Sequence, residues 1–279
     1  MAPTSTNLFK VEEANGVLTV TFSSGEPLNY LTITALNELD QLVTEWADPR
    51  YRAIVIQSDP DEVGFITHFS GEELYDLIKA PETSRYSAIA VRQFKSLLDK
   101  IVALPQVVIA ALNGDTMGGG LELALACDIR IGQSGDYRYG NPEVRLGILP
   151  GAGATQRLSR LIGLGKAVEF VLRGRVVTPD AALSLGIVHE VVSDAPARAH
   201  EIAAEIAQFP PLGVANAKRA LYLGHDANIQ SGFEIEGLAW LHAMQSDDAR
   251  TALKDFLAVP LEKRRDWLES GPYPAYLGM

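Results

Sequence analysis

The stretch Met117-Gly118-Gly119-Gly120-Leu121-Glu122 constrains the fold of this chain more than any other. An apolar run, Val107-Val108-Ile109-Ala110-Ala111-Leu112, precedes it, and the turn pair Asn113-Gly114 lies between. A second apolar run, 121–127, follows. This pattern predicts a buried strand that leads through a turn into a helix. Three glycines at a helix start have no side chains to cover their N–H groups, and no intrahelical acceptor takes them. Such an end attracts negative charge, whether fixed or forming during a reaction. Glu122 falls in the first turn beside those donors. Alone, a glutamate there compensates the helix dipole. With a second acid nearby it becomes a proton carrier next to an anion-stabilising turn.

The flanks are consistent with an α/β core. Residues 8–23 alternate and carry Asn15-Gly16, a type I′ hairpin pair. Leu36, Leu39, Leu42, Val43 and Trp46 recur at helical spacing and predict a helix over 31–46. A short buried strand is expected at 53–56, and residues 64–73 break both periods and read as a loop leading into a helix. A long amphipathic helix is expected over 85–104, with Ile89, Phe94, Leu97, Leu98 and Ile101 on its apolar face. A strand follows at 128–131, then a glycine- and proline-rich loop from Tyr139 through Glu143 and on to Gly153. Helices are expected at 155–162, 166–173 and 179–185, and a last strand at 187–192. Beyond Ser193 everything reads helical, with a break at Pro210-Pro211. Residues 1–193 therefore form the expected α/β core with the candidate site, and 194–279 a helical C-terminal region.

Composition narrows the function classes. A net charge of −11 over 279 residues opposes binding to a nucleic-acid backbone. The lone cysteine, Cys127, rules out an internal disulfide framework or a multi-cysteine metal site, and its apolar surroundings make it a core residue. No apolar stretch reaches the ~20 residues needed to span a bilayer, and the polar start lacks the core of a signal peptide. A soluble, cytoplasmic chain with no membrane partner is the expectation.

Several ordered motifs carry a resemblance to a known family. Ala111-Leu112-Asn113-Gly114, Gly118-Gly119-Gly120-Leu121-Glu122-Leu123-Ala124, Cys127-Asp128-Ile129, Pro142-Glu143 and the run from Gly147 through Leu158 follow at family spacing. Over about residues 8–265 the chain resembles the crotonase (enoyl-CoA hydratase/isomerase) superfamily. The resemblance implies a crotonase (ClpP-like) fold, a spiral of ββα units with a helical C-terminal trimerisation region. It also implies a homotrimer or dimer of trimers, and an acyl-CoA substrate whose coenzyme A is part of the thioester, with no separate cofactor and no metal. The backbone N–H groups of Phe69 and Gly119 match the oxyanion-hole donors, and removing one such donor costs about 10² to 10³ in rate. Glu122 matches the residue that orients and deprotonates water, Glu143 the one that protonates C2, and the Gly151 N–H a group that positions the water. Thr67, Lys263 and Arg264 match coenzyme A contacts.

The chain also departs from the family pattern in the oxyanion loop, where His68 replaces a glycine, Ser70 an aspartate and Glu72 a basic residue. The loop 24–29 carries no arginine or lysine. His68 is an additional candidate, since histidine titrates near neutrality; His189, on the last expected strand, reads as structural. The resemblance thus implies an enoyl-CoA hydratase-like lyase. The alternatives are a crotonase-fold C–C (β-diketone-type) hydrolase or other acyl-processing enzyme that does not need CoA, and a catalytically silent assembly protein of the same fold.

Overall fold

A computed structural model describes residues 4–26, 28–79 and 84–278, apart from the side chains of 84–89. Met1, Ala2 and Pro3 of the polar start, Pro27 in the loop 24–29 and the expected core contact of Ile89 lie outside the described residues.

The chain begins with the expected hairpin. Strands β1 (Phe9–Ala14) and β2 (Val17–Phe22) pair antiparallel, with Asn15 and Gly16 at φ +54° and +78°. Positive angles at both central residues are what a type I′ turn requires. Then come α1 (Ile33–Trp46), β3 (Ala53–Ser58), β4 (Gly64–Ile66), α2 (Gly71–Lys79), α3 (Ser84–Ala103), β5 (Val107–Leu112), β6 (Asp115–Met117) and α4 (Gly119–Ala126). The middle of the chain holds β7 (Ile129–Gln133), β8 (Tyr139–Gly140), α5 (Ala154–Ile162), α6 (Leu164–Leu172), β9 (Val176–Val177), α7 (Pro179–Leu185) and β10 (Glu190–Val192). Helices α8 (Ala195–Ile206), α9 (Pro211–Asp226), α10 (Ile229–Met244), α11 (Asp247–Ala258) and α12 (Arg264–Ser270) complete it. Pro211 occupies the first turn of α9, where its missing N–H costs nothing.

Two sheets organise these elements. The larger runs β1-β2-β3-β5-β7-β10 and is parallel from β2 onward; the smaller runs β4-β6-β8-β9. Strand β5 alternates between two apolar faces: Val108, Ala110 and Leu112 enter one core, while Val107, Ile109 and Ala111 enter the other. Burial on both faces explains why its sequence is apolar throughout. The first core is closed by α1, whose Leu36, Leu39, Leu42, Val43 and Trp46 are all buried as their spacing predicts. On the opposite face, Ala195, Ala199 and Ala203 of α8 pack against the sheet.

The smaller sheet corrects the sequence-based expectations. Residues 64–66 form a strand rather than the start of a loop, Tyr139-Gly140 pairs rather than looping, and β6 and β9 were not anticipated. Strands of two or three residues are too short to display a period. Pairing across distant segments creates them, Gly64 with Asp115 and Thr116 with Tyr139.

A buried ion pair ties α9 to the larger sheet. Lys218 Nζ lies 2.7 Å from Asp128 Oδ2 and donates to Gln106 O at 2.8 Å, while Asp128 Oδ2 also accepts from Val108 N–H. Lys218→Met should strand the Asp128 charge and lower stability by about 3–5 kcal/mol. Urea unfolding would report this as a fall in midpoint; an unchanged midpoint would mean that the pair adds nothing.

Candidate active site

The site grows from the turn between β6 and α4. Met117 N–H donates to Thr67 O at 3.0 Å and Gly118 N–H to Gly140 O at 2.9 Å, so the ends of β4, β6 and β8 lie side by side. Phe69 forms a parallel bridge to Leu31, made by Leu31 N–H to His68 O (2.8 Å) and Ser70 N–H to Leu31 O (2.7 Å). The residue between two such bonds turns its own N–H and C=O away from the partner strand. Among the described residues nothing accepts the Phe69 N–H, and nothing accepts that of Gly119, which opens α4. The two residues adjoin, since a Cβ on Gly119 would lie 3.6 Å from Phe69 Cβ. Each free N–H belongs to a peptide whose carbonyl already accepts a bond: His68 O from Leu31, and Gly118 O from Glu122 N–H at 2.9 Å. Such bonding polarises the peptide and strengthens its donor end. Gly120, one residue on, is pressed against β4: a Cβ there would stand 2.0 Å from Ile66 O.

Glu122 is 3% exposed, and its Oε1 accepts the N–H groups of Ala152 (2.7 Å) and Ala154 (3.0 Å). Burial is the main cause that pushes its carboxyl up to about 7; the Glu143 charge adds to the rise, and the two N–H groups and the Arg157 guanidinium oppose it. Glu143 heads a single 3₁₀ turn, Glu143–Leu146, right after Pro142. Its Oε1 accepts from Asn141 Nδ2 at 3.2 Å and lies 3.3 Å from where a Cβ on Gly118 would stand. Burial raises this carboxyl too, against the opposing bonds from its own backbone and from Asn141. Glu143 Oε2 is buried without a partner among the described residues. The hydrogen bonds thus divide the pair. Two donors act for the ionised form at Glu122 and Oε2 of Glu143 has none, but at Glu122 burial outweighs those donors, so its carboxyl still stands at about 7.

The other sequence candidates are distributed unevenly. Thr67 is buried and its hydroxyl donates to Leu28 O, so it braces the loop and has no proton left to give a ligand. His68 stacks on Tyr30 with ring centroids 5.8 Å apart, and its Nδ1 lies 2.8 Å from Phe69 O. Gly151 is exposed beside Val91 of α3. Arg264 donates to Leu257 O and Val259 O and lies over the Phe256 ring, and Lys263 is exposed. Neither touches the glutamate pair. Cys127 is buried, with its thiol pushed up to about 12, which suits a core residue. His189 Nδ1 accepts from Arg130 N–H, a structural bond.

The structure adds residues that the sequence did not single out. Ala152 and Ala154 hold Glu122, Asn141 holds Glu143, and Arg157 Nη1 donates to Ala152 O at 2.8 Å. One signal was available: Gly153, at φ +117°, precedes α5, so Ala154 is another bare N–H at a helix start.

Two adjoining backbone donors beside one buried and one half-buried carboxyl, on this pair of sheets, define a crotonase-type protein. Its fold matches that of an enoyl-CoA hydratase from Geobacillus kaustophilus with a TM-score of 0.87 and 30% identity, over 99% of this chain and 98% of that one. A sequence profile described as enoyl-CoA hydratase/isomerase matches residues 12–270, and the chain belongs to that family, within the crotonase superfamily. A Bacillus subtilis protein named for enoyl-CoA hydratase/isomerase activity, YngF, is 38% identical over 92% of this chain and 96% of its own length. A short-chain-enoyl-CoA hydratase from Clostridium acetobutylicum is 33% identical over 91% of this chain and 95% of its own.

Proposed function

We propose that this chain is an enoyl-CoA hydratase, a hydro-lyase that adds water across a 2-enoyl thioester or runs the reverse. The observation that carries this reading is the pair Glu122 and Glu143, one on α4 and one on the 3₁₀ turn, beside the Phe69 and Gly119 N–H groups. The thioester oxygen would lie between those two donors. Glu122 takes a proton from water as its oxygen bonds to C3, electrons move to the thioester oxygen, and Glu143 gives its proton to C2 as the enolate collapses. The proton left on Glu122 then returns to Glu143 before the next turnover. Burying Glu122 and half-burying Glu143 costs folding energy that a silent scaffold would not need. We assign no cofactor beyond the coenzyme A of the substrate, a cytoplasmic location, and a homotrimer or dimer of trimers. Exposed apolar residues of the C-terminal helices, Phe233, Leu238 and Trp240 among them, support assembly through residues 194–279.

The test is turnover of crotonyl-CoA across pH. The rate per substrate, kcat/KM, should fall tenfold per pH unit on the acid side, with a midpoint near the value of about 7 held by Glu122. A flat profile would remove Glu122 as the base. One observation favours a second reading, in which His68 serves acyl chemistry without CoA. Its Nε2 has no partner among the described residues, and Glu72, bonded by Ser70 Oγ at 3.3 Å, replaces the family's cation. Calorimetry separates the two readings. Micromolar binding of acetoacetyl-CoA, about −8 kcal/mol, supports the hydratase, whereas binding of acetoacetate alone supports the second reading.

A further inference from the structure

Arg157 is a cation whose charge acts on Glu122. It lies on α5, and its guanidinium spans two elements: Nη1 donates to Ala152 O at 2.8 Å, and Nη2 to Asp99 Oδ1 of α3 at 2.9 Å. The guanidinium passes over Gly153, whose Cβ, if present, would stand 2.3 Å from Nη1. That glycine also has φ +117°, a conformation that admits glycine and strains other residues. The residues on either side of it, Ala152 and Ala154, are the two whose N–H groups grip Glu122 Oε1. We propose that Arg157 is a positioning residue for Glu122: it locks residues 152–154 against α3, and so keeps both backbone donors on one carboxylate oxygen.

This deepens the hydratase reading and rests on it only for the consequence in turnover. The charged groups acting on Glu122 are Glu143 from the 3₁₀ turn and Arg157 from α5; Asp99 faces Arg157 from α3. Arg157 contributes in two ways, as a nearby cation and as a strut for the two donors. Both favour ionised Glu122, so losing either should raise its titration midpoint. The Arg157–Asp99 pair is partly exposed, which makes its Coulomb energy small. Its value lies in fixing the guanidinium's direction.

The test is carboxyl-carbon NMR titration of the full chain labelled at glutamate, with Glu122 assigned by its loss in Glu122→Gln. In Arg157→Gln the midpoint should move up by roughly one pH unit, and the amide resonances of Ala152 and Ala154 should shift. In Arg157→Lys, which keeps the charge but not the two-point hold, only part of the midpoint should recover. In turnover, kcat of Arg157→Gln should fall roughly tenfold with KM little changed, because misplacing a proton carrier acts on the transition state. An unchanged midpoint in a folded Arg157→Gln overturns the proposal. Full recovery by lysine also overturns it, because charge alone would then suffice. If the glutamine variant does not fold, the lysine variant alone decides: a midpoint between wild type and one unit higher supports the strut, and a wild-type midpoint overturns it. A wild-type protein without hydratase activity would end the functional reading, while the titration would still decide the role of Arg157.

Discussion

Glu122→Gln should remove turnover of an enoyl-CoA by roughly three orders of magnitude or more, since a general base of this kind contributes up to about 10⁴. It should also stabilise the protein at alkaline pH. Burial holds the Glu122 carboxyl at about 7 in the folded chain, against an ordinary value of 4.5. Between those values the folded state keeps a proton that the unfolded chain has released, so stability falls as pH rises through that window. The group's contribution is complete below 4.5 and lost above about 7, a difference of about 3 kcal/mol. Glutamine does not titrate and escapes the loss. Melting temperatures of the two proteins should therefore differ more at pH 8 than at pH 5, with the variant gaining. Parallel curves would show that Glu122 does not titrate as its surroundings require.

Gly120→Ala should do the greatest damage to the fold. In an exposed helix this exchange gains about 1 kcal/mol. Here the added methyl would stand 2.0 Å from Ile66 O, a backbone atom of β4 that cannot rotate aside. Relief requires α4 to move off the smaller sheet, which would carry Gly119 and Glu122 with it. Expected losses are about 3 kcal/mol or more, read as poor recovery of soluble protein and an early urea transition. Gly119→Ala is the control. Its methyl would meet the edge of the Phe94 ring at 3.2 Å, and that ring can tilt. The two neighbouring glycines thus serve different ends: Gly119 presents a donor, and Gly120 admits a strand.

Much of this was legible in the chain. The hairpin at Asn15-Gly16, α1 and the buried β5 rest on local periods and turn chemistry, which act within a few residues and so leave a mark in sequence. The motifs around Glu122 and Glu143 pointed to the family, because ordered residue types at fixed spacing survive without coordinates. The smaller sheet left no such mark, since its strands exist only through partners some twenty to fifty positions away, as with Thr116 and Tyr139 or Gly64 and Asp115.

The sequence alone singled out the candidate groups: two glutamates, a glycine turn and the loop that holds Phe69. It also determined that the central strand is buried on both faces. The tertiary structure decided how these groups are poised. Which oxygen of Glu122 is gripped, and that Ala152 and Ala154 grip it, depends on where α5 starts in space. That Thr67 is spent on Leu28 and Arg264 on the end of α11 follows from contacts no spacing rule foretells. The proton preference of each carboxyl follows as well, because burial and bare N–H groups act through distance in space, and distance along the chain does not measure it.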